Sequence, residues 1–175
     1  NSSGTYDRLG GLVGYMVSTS ITNCSSQSDI LFNGRGENGG LIGMLQGSTV
    51  ENCSSNSTIK INQNIYYDAI GGLVGWAWYS GCSEIKNSFS SGTIDLNKST
   101  QTNALGVGGL VGWQESCQVI TDSYSSVNIT ANAAYRVGGL TGNIRTSYTP
   151  NNTTTITNSY ATGTIACRTQ CGGLN

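Results

Sequence analysis

Gly10-Gly11-Leu12-Val13-Gly14 decides the fold, because the chain keeps returning to it. The same five residues stand at Gly71–Gly75 and Gly108–Gly112, and near-copies stand at Gly39–Gly43, with Ile42, and at Gly138–Gly142, with Thr141. A sixth copy begins at Gly172 and reads as far as Leu174. The intervals are 29, 32, 37, 30 and 34 residues. Self-similarity at a period of roughly 20–50 residues marks stacked units, each too small to bury its own apolar face alone. The chain therefore reads as one array over residues 1–175. Its repeats cover 8–36, 37–68, 69–105, 106–135 and 136–169, and 170–175 starts an incomplete sixth.

A second constant block lies between the glycine motifs. It spans Ile21–Ile30, Val50–Ile59, Ile85–Ile94, Ile120–Ile129 and Ile156–Ile165, its apolar ends always nine residues apart, while the connections vary. Constant strands joined by tolerant surface loops give this pattern. Stacked parallel coils bring equivalent residues to within about 4.8 Å of one another. The third position of the block, Asn23, Asn52, Asn87, Asp122 and Asn158, then reads as a ladder of hydrogen-bonding side chains at a corner. The fifth position, Ser25, Ser54, Phe89, Tyr124 and Tyr160, reads as a partial aromatic stack. No segment has sustained helical periodicity. The expected fold is all-β, a parallel β-helix (β-solenoid) of about five coils, of the right-handed sort commoner among such folds.

Composition agrees. Only 10% of the residues are charged, apolar residues reach 37%, Gly occurs 25 times and Pro once. A thin core covered by uncharged Asn, Ser and Thr accommodates these values, whereas disordered chains are usually rich in charge and Pro. A net charge of −1 with scattered Lys and Arg gives no footprint for nucleic acid, and no apolar run approaches the ~18 residues of a membrane span. With no His, the chain has neither a Ser-His nor a Cys-His nucleophile system. Its nine acidic residues fall at different repeat positions, so no carboxylate pair is forced onto one face. Gly34-Arg-Gly36-Glu-Asn-Gly39 matches a dinucleotide fingerprint, but no helix pattern follows it. The expectation is a non-enzymatic protein without cofactor or metal.

The pairing of Gly-Gly-Leu-Val-Gly with a following Ile-x-Asn-Cys/Ser-Tyr/Ser-Ser block resembles the GLUG-motif repeats. The resemblance recurs five times along the chain, with Thr141 and Asn143 departing from it in the fifth copy. Such repeats occur in large secreted or surface-anchored microbial proteins, including adhesins and non-catalytic regions of immunoglobulin A peptidases. The resemblance implies an extracellular or cell-surface β-solenoid, a stalk or adhesive region, and carries over no catalytic residue.

Repeat register orders the six cysteines. Cys24 and Cys53 share the fourth block position, Cys82 and Cys117 each precede the opening Ile by three residues, and Cys167 and Cys171 are four apart. Neighbouring coils lie within disulfide reach, so the expected bridges are 24–53, 82–117 and 167–171, in an oxidising compartment. Eight Asn-x-Ser/Thr sequons occur; those in or beside loops, Asn56, Asn97, Asn128, Asn151 and Asn152, are the candidate N-glycosylation sites.

The residue after each glycine motif is Tyr15, Met44, Trp76, Trp113 and Asn143. Stacking makes this a stripe, read as a platform for sugar rings or a protein partner if exposed, and as packing beneath loops if not. On the first reading, Ala at Trp76 and Trp113 leaves the fold intact and reduces adhesion or assembly. The chain opens near one glycine motif and stops inside another, so its array lacks a polar capping unit. Uncapped coils template further backbone, which leads to head-to-tail self-association as the expected partnership. The leading expectation is thus an extracellular structural stalk or filament; the alternative is a glycan-binding adhesin module.

Overall fold

The computed structural model describes residues 7–32, 35–61, 65–66, 68–78, 81–97, 102–103, 106–146 and 153–172. They contain strands and no helix, and all of the strand pairings are parallel. The first coil sets the pattern with β1 (Asp7–Gly10), β2 (Val13–Val17), β3 (Ser20–Thr22) and β4 (Ser25–Phe32). Each is repeated one coil further on. β2 stacks with Ile42–Gln46, Val74–Trp78, Val111–Glu115 and Thr141–Arg145 in one five-stranded sheet. β3 stacks with Thr49–Glu51, Glu84–Lys86, Val119–Thr121 and Thr155–Thr157 in another. The β1 and β4 rows merge into an 11-stranded sheet, because Asn128–Gly138 and Ile165–Gly172 each run on from one row into the other. The chain is a β-solenoid. Three of its coils, starting at Gly36, Ala69 and Gly106, have a neighbour on both sides, and the outermost layers keep one open face, so the five repeats are not five equivalent coils.

The core is split into two lobes. The first lies between the β1 and β4 rows and holds Ile59, Ile94 and Ile129, Ile61 and Leu96, and Ile70, Val107 and Val137. The second lies between the β2 and β3 rows and holds the motif leucines Leu41, Leu73 and Leu110 with Ile42, Val74, Val111, Val50, Ile85 and Ile120. Between them, the Gly-Gly turn meets the β4 row. Ser26 Oγ donates to the Gly40 carbonyl at 2.6 Å, Ser90 Oγ to that of Gly109 at 2.7 Å, and Ser55 Oγ to that of Gly72.

This meeting explains why the motif needs two glycines. A Cβ on the first, at Gly39, Gly71 or Gly108, would sit 1.9 Å from the carbonyl oxygen three residues on and 2.7 Å from an amide of the next coil. A Cβ on the second, at Gly72, would lie 2.0 Å from the Gly109 oxygen and 3.1 Å from Ser90 Cβ. The constraint is space between backbones rather than φ.

The Asn column is a ladder of another kind than its sequence suggests. Asn23, Asn52, Asn87, Asp122 and Asn158 all have left-handed backbone, with φ between 48° and 56°. Asn and Asp tolerate that region better than any other residue with a side chain. The side chains point outward and are exposed; among the described residues, the one hydrogen bond within the column is Asn158 Nδ2 to Asp122 Oδ1, 3.1 Å. The hydrogen-bonded ladder lies one residue later and inside. Ser88 Oγ accepts from the Cys53 amide and Ser123 Oγ from the Ser88 amide, each at 3.1 Å, and Ser159 Oγ accepts from the Ser123 amide at 3.2 Å. Each hydroxyl also donates to the carbonyl two residues back.

Cys82 and Cys117 are bonded across adjacent coils with Cα atoms 5.0 Å apart, and Cys167 is bonded to Cys171. The third expected bridge is not formed. Cys24 and Cys53 are free thiols that join the inner ladder, with Cys53 Sγ donating to the Glu51 carbonyl at 3.1 Å and accepting from the Cys24 amide at 3.4 Å. The column that carries serine in later coils carries cysteine here, in the same hydrogen-bonding role.

Candidate functional site

The stripe forms in register but not as a platform. Tyr15 pairs with Met44, Met44 with Trp76, Trp76 with Trp113 and Trp113 with Asn143. Trp76 and Trp113 stack at 4.7 Å with 1° between their planes, and Trp78 tilts against Trp76 at 6.1 Å. Met44 is buried, Trp113 is only 6% exposed and Trp76 is half-buried; Tyr15, in the outermost layer, is exposed. The cause is the row seven residues upstream, Arg8, Glu37, Ala69, Gly106 and Arg136, which runs alongside the stripe. Arg8 places Nε 3.1 Å from Met44 Sδ and its guanidinium 4.5 Å from the Tyr15 ring centre, and a Cβ on Gly106 would meet Asn143 Cβ at 2.9 Å. Where the stripe carries Trp, the row carries Ala69 or Gly106.

Two carboxylates are enclosed in the same region. Glu37 is 2% exposed, and burial raises its pKa although Arg8, 3.3 Å away, opposes the shift. Glu115, two residues beyond Trp113 and paired in register with Arg145, is also raised by burial, against the Arg145 charge and the Trp76 indole. A carboxyl that holds its proton more tightly when folded weakens the fold as pH rises through its folded pKa and costs nothing below the ordinary value of 4.5. The melting temperature is therefore expected to rise as pH falls from 7 toward about 4.5. Glu37→Gln with Glu115→Gln should flatten that rise in thermal melts at several pH values. An unchanged slope would place its origin elsewhere.

The exposed aromatic column is a different one. Phe89, Tyr124 and Tyr160 stack on the outer face of the β4 row, with ring centres 5.0 and 5.2 Å apart and planes within 3° and 6°. Phe89 is 37% and Tyr160 49% exposed. The fifth block position foretells the stack but not its exposure relative to the Trp stripe. Of the candidate glycosylation sites, Asn56, Asn97 and Asn128 are exposed, and Asn128 Oδ1 accepts from Thr164. Asn151 and Asn152 lie outside the described residues.

The outermost layers bare apolar side chains that the inner coils bury. Leu12 is exposed on the first layer, where Val13, Ile21 and Ile30 are half-buried, and Ile144 and Ile156 are exposed on the last. Their interior equivalents Leu41, Leu73, Leu110 and Ile85 are buried. The last layer also opens into a cavity of about 500 Å³ lined by Leu140, Thr141, Ile144, Ile156 and Ala161 among others.

The family model described as "The GLUG motif" matches residues 66–95. These residues carry a GLUG motif. The match runs through the Gly71–Gly75 turn to the end of Phe89–Asp95, one coil of the stack, consistent with a GLUG-motif repeat protein. No curated protein and no solved structure matches the chain. A GLUG motif on a β-solenoid fits a structural repeat protein. Among the described residues, no helix is long and apolar enough to cross a membrane.

Proposed function

We propose that this chain is a structural, non-enzymatic extracellular protein, a β-solenoid that serves as a surface stalk or head-to-tail filament. The observation that carries the reading is the pair of apolar end faces. A layer with Ile144 and Ile156 bare beside an open cavity, and another with Leu12 bare and Val13 and Ile21 half-buried, each show part of the apolar contact that inner coils make with one another. Unpaired strand edges and apolar side chains on one face favour the addition of another coil. That coil can come from more of the same chain, which lengthens a stalk, or from a second copy, whose contact between unlike faces does not close on itself and gives a fibre. The Cys82–Cys117 and Cys167–Cys171 bridges are compatible with an oxidising, extracellular setting.

Sedimentation velocity over a concentration series tests this. The wild-type chain is expected to form species larger than 18.3 kDa, and Ile144→Asp with Ile156→Asp to sediment as the monomer with an unchanged circular dichroism spectrum. A wild-type chain that stays monomeric at all concentrations overturns the assembly.

A further inference from the structure

We infer that the Phe89–Tyr124–Tyr160 column is a binding ridge for a strand of neutral polysaccharide lying along the solenoid axis. The column runs down the side wall of the stack, with Tyr160 in the last layer, and uses none of the bare apolar residues of the end faces, so the inference does not depend on assembly.

Ring geometry comes first. The rings are parallel, with centres 5.0 and 5.2 Å apart, close to the spacing of the coils that carry them. Offset stacking, the arrangement such pairs prefer, leaves part of a face and one edge of each ring to solvent, which gives a stepped apolar ridge. The C–H faces of a pyranose ring are complementary to such surfaces, and successive steps are about as far apart as the width of one sugar ring.

The flanks supply the polar half. On one side run Asn87, Asp122 and Asn158, all exposed and all held outward by their left-handed backbone. On the other run Ser91, Ser126 and Thr162, with Thr93, Asn128 and Thr164 beyond. Amides and hydroxyls that both donate and accept, set on each side of an apolar ridge, match a ligand with ring C–H faces and peripheral hydroxyls.

The same composition argues against other ligands. Asp122 is the one charge among these nine flanking residues, and the nearby Lys86 lies between Glu51 and Glu84 at 3.7 and 3.5 Å. Among the described residues, no cationic track flanks the column to suit nucleic acid or an acidic glycan. Protein interfaces are enriched in Arg and Met and depleted in Ser and Asp, the opposite of these flanks.

The test is titration of the protein with cellohexaose, xylohexaose and mannohexaose, followed by amide shifts in nuclear magnetic resonance. Binding is expected to be saturable for at least one, with shifts centred on residues 89, 124 and 160. With three rings in contact, the dissociation constant should be on the order of millimolar or somewhat below. Phe89→Ser with Tyr124→Ser and Tyr160→Ser installs the residue that Ser25 and Ser54 already place in this column, and should weaken binding roughly tenfold or more. The inference is overturned if none of the three hexasaccharides binds, or if the shifts of the wild-type protein map elsewhere. It is equally overturned if the triple variant binds as well as wild type, or loses self-association with its sugar affinity intact.

Discussion

Gly71→Ala is expected to destabilise the fold by about 4 kcal/mol or more, enough to remove cooperative unfolding from a protein of ordinary stability. The added methyl would lie 1.9 Å from the Val74 oxygen and 2.7 Å from the Gly112 nitrogen, and both are backbone atoms. Neither can swing away as a side-chain end could. Relief requires the turn to open, which separates the Gly72 carbonyl from Ser55 and disturbs the seam between the two core lobes. Gly172→Ala is the internal control. It occupies the same motif position, but nothing lies within 4 Å of where its methyl would stand, and its cost should stay within about 0.5 kcal/mol. Urea unfolding of the two variants separates the outcomes. Equal, small effects would mean that the inner coils are not packed backbone to backbone.

Trp113→Ala is expected to cost about 3–5 kcal/mol, the usual penalty for emptying a buried aromatic site. The ring is nearly enclosed and stacked on Trp76 at 4.7 Å. A stripe serving as an exposed platform would lose it at little cost. Tyr160→Ser gives the comparison, since that ring is exposed on the other column and should cost under about 1 kcal/mol. If the two variants unfold at the same denaturant concentration, the stripe is not buried.

Sequence made the coil legible because its two strongest signals are backbone requirements. Gly-Gly marks where two backbones touch, and the Asn or Asp of the second block marks a left-handed corner. Both are read through residue type alone, so the stacking order and the strand register follow from spacing. What escaped was side-chain direction. The outward turn of Asn23 and its equivalents follows from φ near 50°, which a propensity argument does not supply. Cys24 and Cys53 occupy equivalent positions one coil apart, yet the inner ladder aims their sulfurs at carbonyls, so proximity did not become a bond. The stripe falls in the column that spacing indicates, but its burial depends on neighbouring rows, which the stripe's own residues do not reveal. The column at Phe89, Tyr124 and Tyr160 is visible in the sequence as a stack and not as the open one.

Negative-stain electron microscopy of the purified protein tests the structural reading most directly. One set of five stacked layers is only about 24 Å long at ~4.8 Å per layer. Uniform filaments, one solenoid wide and many times that length, are the expected result, and they should shorten to single particles with Ile144→Asp and Ile156→Asp. Discrete particles no longer than one array, at every concentration, would contradict a stalk or filament built by end-to-end stacking.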